Sequence, residues 1–165
     1  MNQKTKKLAF LGLCTAVTLI LAYVEALLPP LWSAVPGIKM GLPNIMILFL
    51  LYRFSVKEAA AVSLVRLGAV ALLFGNVMTL AYSLAGAVLS LSAMALLKKT
   101  GWFTPTGVSV VGGVLHNLGQ ILVAMAVLET AEIGYYMIVL TVTGTLAGIL
   151  VGLAGSLVLK YLREI

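Results

Sequence analysis

Arg66 stands near the middle of a long apolar run in a chain that is 62% hydrophobic, with a mean hydropathy of +1.13. A guanidinium at bilayer depth costs roughly 2.5 to 3.5 kcal/mol on insertion scales, so by default it marks a site facing a cavity. Other side chains capable of binding chemistry recur at helical spacing. Gly113, Asn117, Gln120 and Ala124 follow the i, i+4, i+7, i+11 pattern of one helix face, with His116 beside them. Asn76, Thr79, Ser83, Gly86 and Ser90 form a similar stripe. Two such stripes facing each other imply a wet pocket with Arg66 as its floor. Glu25, Lys39, Asn44, Tyr135, Tyr136 and Thr141 fall in the same half of the membrane as the stripes. The chemistry expected is capture of a small anionic, partly apolar molecule. Arg66 and Lys39 would offset its charge, and Asn44, Asn76, Asn117 and Gln120 would orient it. Each residue also has a plainer reading. Arg66 can pair with Glu25 or bond freed carbonyls, and His116, Asn117 and Gln120 can form an interhelical network worth about 0.6 kcal/mol per bond. Lys39 can be an exposed loop charge.

The elements that must hold these groups follow from the apolar runs, since a helix needs about 20 residues to cross the hydrocarbon. Helix 1 is expected from Leu8 to about Leu28, stopped by Pro29-Pro30. A retained helix is favoured over a signal peptide because the run is too long and no clean small-residue cleavage site follows. A loop over 31–40 leads to helix 2, from near Gly41 to about Tyr52, which is short for a full span. Helix 3 is expected over Ser55 to Phe74, and helix 4 over Val77 to Leu97. Helix 5 runs from Pro105, capped by Thr104, to Leu128, and helix 6 from Tyr135 to Leu159. With six crossings, Lys4, Lys6, Lys7, Arg53, Lys57, Lys98, Lys99, Lys160 and Arg163 share one side, while Glu129, Glu132 and Lys39 lie on the other. Positive charge marks the cytoplasmic side. The expected fold is an all-α integral membrane protein, a six-transmembrane-helix bundle with both termini cytoplasmic, spanning residues 1–165 as a single domain of the cell membrane.

Several function classes drop out. The net charge of +6 comes in short clusters between apolar runs, not in a stripe interleaved with aromatics, so nucleic acid is not an expected partner. One cysteine, Cys14, and one histidine build neither a disulfide framework nor a metal site, and no cofactor is expected. No Walker A pattern occurs, so any ATP-driven step belongs to another protein. Gly144, Gly148 and Gly152 repeat the GxxxG spacing of close helix packing, and Ala9, Gly12 and Ala16 give helix 1 a small-residue stripe that could dock a partner helix.

The run Pro36-Gly37-Ile38-Lys39-Met40-Gly41-Leu42-Pro43-Asn44, with the stretches Gly75–Gly86 and Gly107–Gln120, resembles the bacterial heptaprenyl diphosphate synthase component I proteins, also called the Gx transporter family. That family is similar in size, layout and orientation to the substrate-binding S components of energy-coupling factor (ECF) vitamin transporters. The resemblance implies an outward-facing site, a first loop acting as lid, and small residues of helix 1 docking a transmembrane coupling subunit that works with ATPases. Here the usual Ala-x-x-x-Ala docking motif is replaced by Gly12-x-x-x-Ala16. The synthase name meets a chemical obstacle. Chain-elongating prenyltransferases hold the diphosphate through magnesium bridged by aspartate-rich motifs, and this chain contains no aspartate. An enzyme is therefore not expected; the alternative to a solute-binding subunit is a non-catalytic membrane accessory of an isoprenoid or quinone synthesis system.

Overall fold

Residues 2–28 and 40–162 are described by the computed structural model. They form six α-helices: α1 (Gln3–Leu27), α2 (Asn44–Arg53), α3 (Val56–Phe74), α4 (Val77–Thr100), α5 (Pro105–Leu128) and α6 (Tyr136–Tyr161). A 3₁₀ turn over Ala131–Tyr135 leads into α6. The sequence expectations for Lys39, Trp32 and the rest of the first loop lie outside the described residues.

Local chemistry explains most of the helix ends. Ser55 caps α3 through the Lys57 amide, and its hydroxyl also donates to the Glu58 carboxylate, so the first turn is tied at two points. Asn76 caps α4, accepting from the Thr79 amide at 2.8 Å, and Thr104 caps α5 ahead of Pro105, where no amide is needed. α4 ends at Gly101, whose φ of +70° is the left-handed geometry that a glycine adopts without a Cβ clash. α1 begins five residues earlier than expected, because Asn2 caps it and its lysines continue the helix beyond the apolar run.

Four helices, α1, α4, α5 and the α6 segment, are long and apolar enough to cross a membrane, and the chain is a multi-pass membrane protein. α3 has comparable length but carries Lys57, Glu58 and Arg66. α2 departs most from an ordinary span. Its 10 residues rise only about 15 Å, half the hydrocarbon thickness, and Met46 through Leu51 are all buried. It is the centre of the bundle, not a lipid-facing wall. Around it Cys14 of α1, Ala59 and Val62 of α3, Met94 and Ala95 of α4 and Val108 of α5 complete the core. On its α6 side, a Cβ at Gly155 would come within 2.7 Å of Leu48, so the glycine makes room for the short helix.

Glycine also sets the spacing of the outer helices. A Cβ on Gly113 would lie 2.5 Å from the Gly144 carbonyl oxygen, and one on Gly148 would lie 2.6 Å from the Val110 Cα. α5 and α6 therefore touch backbone to backbone. Gly119 does the same against Ala85 and Gly86 of α4. The glycine stripe of α6 thus packs within the bundle. By contrast Ala9, Gly12 and Ala16 are exposed, and a Cβ on Gly12 would meet nothing within 4 Å.

Candidate functional site

A cavity of about 330 Å³ opens between the helices, and all six contribute to its lining. Small ligand sites begin at about this size. Its rim is made by Glu25 at the end of α1, by Gly41 and Asn44 leading into α2, by Phe74 and by Thr79. Gly41 (φ +74°) turns the chain sharply there, and its amide donates to the Glu25 carboxylate. The carboxylate thereby pins the start of the α2 turn to α1.

Arg66 lies on the wall, only 7% exposed. Its Nη1 points to the Asn44 Oδ1 at 3.5 Å, the outer limit of a hydrogen bond, and its buried Nε has no partner among the described residues. The expected alternative of a direct Arg66–Glu25 ion pair is not formed; one Glu25 oxygen accepts from the Gly41 amide, and the carboxylate acts on Arg66 only through space. Among the described residues the one ion pair joins Lys7 and Glu58, at the far end of the bundle. A buried guanidinium that meets one amide oxygen at long range has unused donors, and leaving such donors unpaired is costly.

The floor lies deeper than Arg66. Arg66 is 8 residues from the Phe74 end of α3, about 12 Å of rise, whereas Ser90 is 13 residues from the Val77 end of α4, about 20 Å. Ser90, Met94, Ser109 and Gly112 line that lower part, where the absence of a side chain on Gly112 makes room for the Met94 thioether. The α5 polar face is present as Ser109, Gly113, His116, Asn117 and Gln120. His116 Nε2 and Gln120 Nε2 are 3.2 Å apart, one turn along the helix. Asn117 Nδ2 donates to the Leu140 carbonyl at 2.7 Å, so this amide bridges α5 to α6 while also lining the cavity.

Of the candidates named from the sequence, Glu25, Asn44, Arg66, Thr79, His116, Asn117 and Gln120 meet at this one cavity. Asn76 does not. It is exposed at the end of α4 and spends its oxygen on the Thr79 amide and hydroxyl, which is helix capping. Gly86 and Ala124 also fall outside the lining, Gly86 because it backs onto His116 to let α4 approach α5. Ser109 lies outside the expected stripe, yet it sits at i−4 from Gly113 and i−7 from His116 and so extends the same face by a turn. Met94 and Val151 carry no such signal, since an apolar residue reads the same on a pocket wall as in a core.

No curated protein and no solved structure matches the chain. The family described as heptaprenyl diphosphate synthase component I matches residues 14–158, and the chain belongs to that family.

Proposed function

We propose that the protein is the membrane solute-binding subunit of an uptake transporter, similar to the S component of an ECF system, with six crossings and both termini cytoplasmic. It captures a small anionic, partly apolar molecule of vitamin, quinone or isoprenoid type from the outer side. The observation that carries this reading is Arg66, a buried guanidinium on a cavity wall with no carboxylate bonded to it and an unpartnered Nε. Glu25 on the same cavity attracts it only through space, so an anionic ligand that bonds the free donors directly stabilises it further. Asn44, Thr79, Ser83, His116 and Gln120 supply polar contacts, while Leu67, Val70, Phe74 and Val151 suit an apolar portion. The exposed Ala9, Gly12 and Ala16 face supports docking of a coupling subunit, which with its ATPases would supply the energy.

A second reading is favoured by the family's description as a component of heptaprenyl diphosphate synthase. In it the chain is a non-catalytic membrane accessory, and the magnesium-diphosphate chemistry belongs to another subunit, in keeping with a sequence that has no aspartate. Native mass spectrometry of gently purified protein separates the two. A retained small anionic ligand supports the transporter reading, and a co-purifying prenyl synthase supports the accessory reading. The site itself is tested by substitution. Arg66→Ala abolishes retention of the ligand, and Arg66→Lys weakens it, because lysine keeps the charge but loses the planar fork that grips a carboxylate or phosphate at two points. A folded Arg66→Ala protein that retains its ligand at the native level would overturn the assignment.

A further inference from the structure

At the opposite end of the bundle, a second concavity of about 660 Å³ opens between the start of α1 and the ends of α2 and α6. Lys4, Lys6 and Arg53 line it together with Lys7. Phe10 and Phe54, their rings 5.6 Å apart, form a partly buried apolar wall, backed by the buried Phe49, whose ring lies 6.3 Å from that of Phe10. The nearby carboxylate, Glu58, is already taken by Lys7 and Ser55. Lys4, Lys6 and Arg53 have no ion-pair partner among the described residues.

Cations at this end have a general role in setting orientation, and that role needs no groove. Lys57, Lys99 and Lys160 fill it from outside the concavity. Lys4, Lys6 and Arg53 differ in lining one hollow from two helices, where an anion meets cations from both. The amino-terminal end of α1, with its partial positive charge, points the same way. Three cations call for a multiply charged head, and the aromatic wall calls for an apolar group attached to it. Trp102 and Tyr161, both highly exposed near the same end, mark the depth of a membrane interface.

We propose that this groove is a second binding site, one that takes the phosphate or diphosphate head of an amphiphile on Lys4, Lys6 and Arg53 and rests the first part of its tail on the partly buried Phe10 and Phe54. The site is separate from the Arg66 cavity and stands whichever molecule that cavity holds.

The test uses the full chain in phosphatidylcholine nanodiscs with farnesyl diphosphate as probe. Saturable binding is expected, with inorganic diphosphate and farnesol each binding more weakly than the intact probe. Lys4→Gln/Lys6→Gln/Arg53→Gln removes three charges at exposed positions and weakens binding roughly a hundredfold, while circular dichroism and thermal unfolding remain as in the parent. Phe10→Ala weakens farnesyl diphosphate but not inorganic diphosphate. Adding phosphatidylglycerol to the nanodiscs identifies the source of the head group. Displacement of the probe assigns the groove to an anionic lipid, and no displacement assigns it to a free prenyl-type diphosphate; both uphold the phosphate site. The proposal is overturned if neither amphiphile binds saturably. It is equally overturned if Lys57→Gln/Lys99→Gln/Lys160→Gln, which removes the same charge from the same end outside the groove, weakens binding as much.

Discussion

The last turn of a helix leaves carbonyls without partners, and in α2 Leu50 and Leu51 of that turn are buried, which limits the water that can serve them. Lys98, reaching over from α4, donates its Nζ to the Leu51 carbonyl at 2.6 Å and stands 5.4 Å from the centroid of the Tyr52 ring. A charged donor on a carbonyl is worth about 1.5 to 3 kcal/mol, and a half-buried one falls in the lower part of that range. Lys98→Met, which keeps the apolar stem, should lower stability by that amount in thermal unfolding in detergent. Lys99→Met, at an exposed neighbour, should change it by less than about 0.5 kcal/mol. Equal effects would show that the lysines act only through net charge. The sequence reveals Lys98 only as an orientation signal, because its partner lies 47 positions away on another helix. Arg66 is legible for the opposite reason: a charge inside an apolar run stands out whatever it touches. Asn76 and Asn117 show the remaining ambiguity. Both sit in polar stripes, yet one caps a helix and the other bridges two, and stripe spacing cannot separate a terminus from a face.

Among the helices, α5 is the one whose bounds, Pro105–Leu128, follow directly from composition, because Thr104-Pro105 starts it and Glu129 ends it. α2 is legible as a short helix but not as the core of the bundle. Its uniform apolar composition fits a lipid-facing segment as well as a buried one, and its burial follows from the packing of the other helices around it, with Gly155 making room at Leu48. The α6 glycines carry a prediction about packing. Gly148→Leu would put a side chain where its first carbon already meets the Val110 backbone at 2.6 Å, so α6 must move away from α5. Overpacking of this kind costs typically 1 to 3 kcal/mol, and a loss of that size is expected in thermal unfolding together with reduced expression. Gly12→Leu is the matched control, since a Cβ there meets nothing within 4 Å. It should leave stability unchanged or slightly raised, leucine being the better helix former. Unchanged stability in Gly148→Leu would mean that the α5–α6 contact contributes little.

Across the whole molecule, basic and acidic residues sort toward opposite ends, with exposed aromatics at both, in a way that no single helix reveals. Lys4, Lys6, Lys7, Arg53, Lys57, Lys98, Lys99 and Lys160 gather at one end, and Glu129 and Glu132 stand at the other. Trp102 and Tyr161 are exposed near the basic end, and Tyr135 and Tyr136 near the acidic one, the pattern of two interfacial belts. This end-to-end sorting supports an orientation with the basic end in the cytoplasm, which puts the mouth of the Arg66 cavity outside and the Lys4–Lys6–Arg53 groove inside. Because Cys14 is buried at 2% exposure in the core, Cys14→Ala provides a background in which single cysteines can be read. Thr130→Cys, in the turn between α5 and α6, should react with a membrane-impermeant thiol reagent on intact cells. Lys99→Cys, at the end of α4, should react only after the cells are opened. The reverse pattern would turn the cavity toward the cytoplasm, and a solute-capturing subunit facing inward could not take up its ligand from outside.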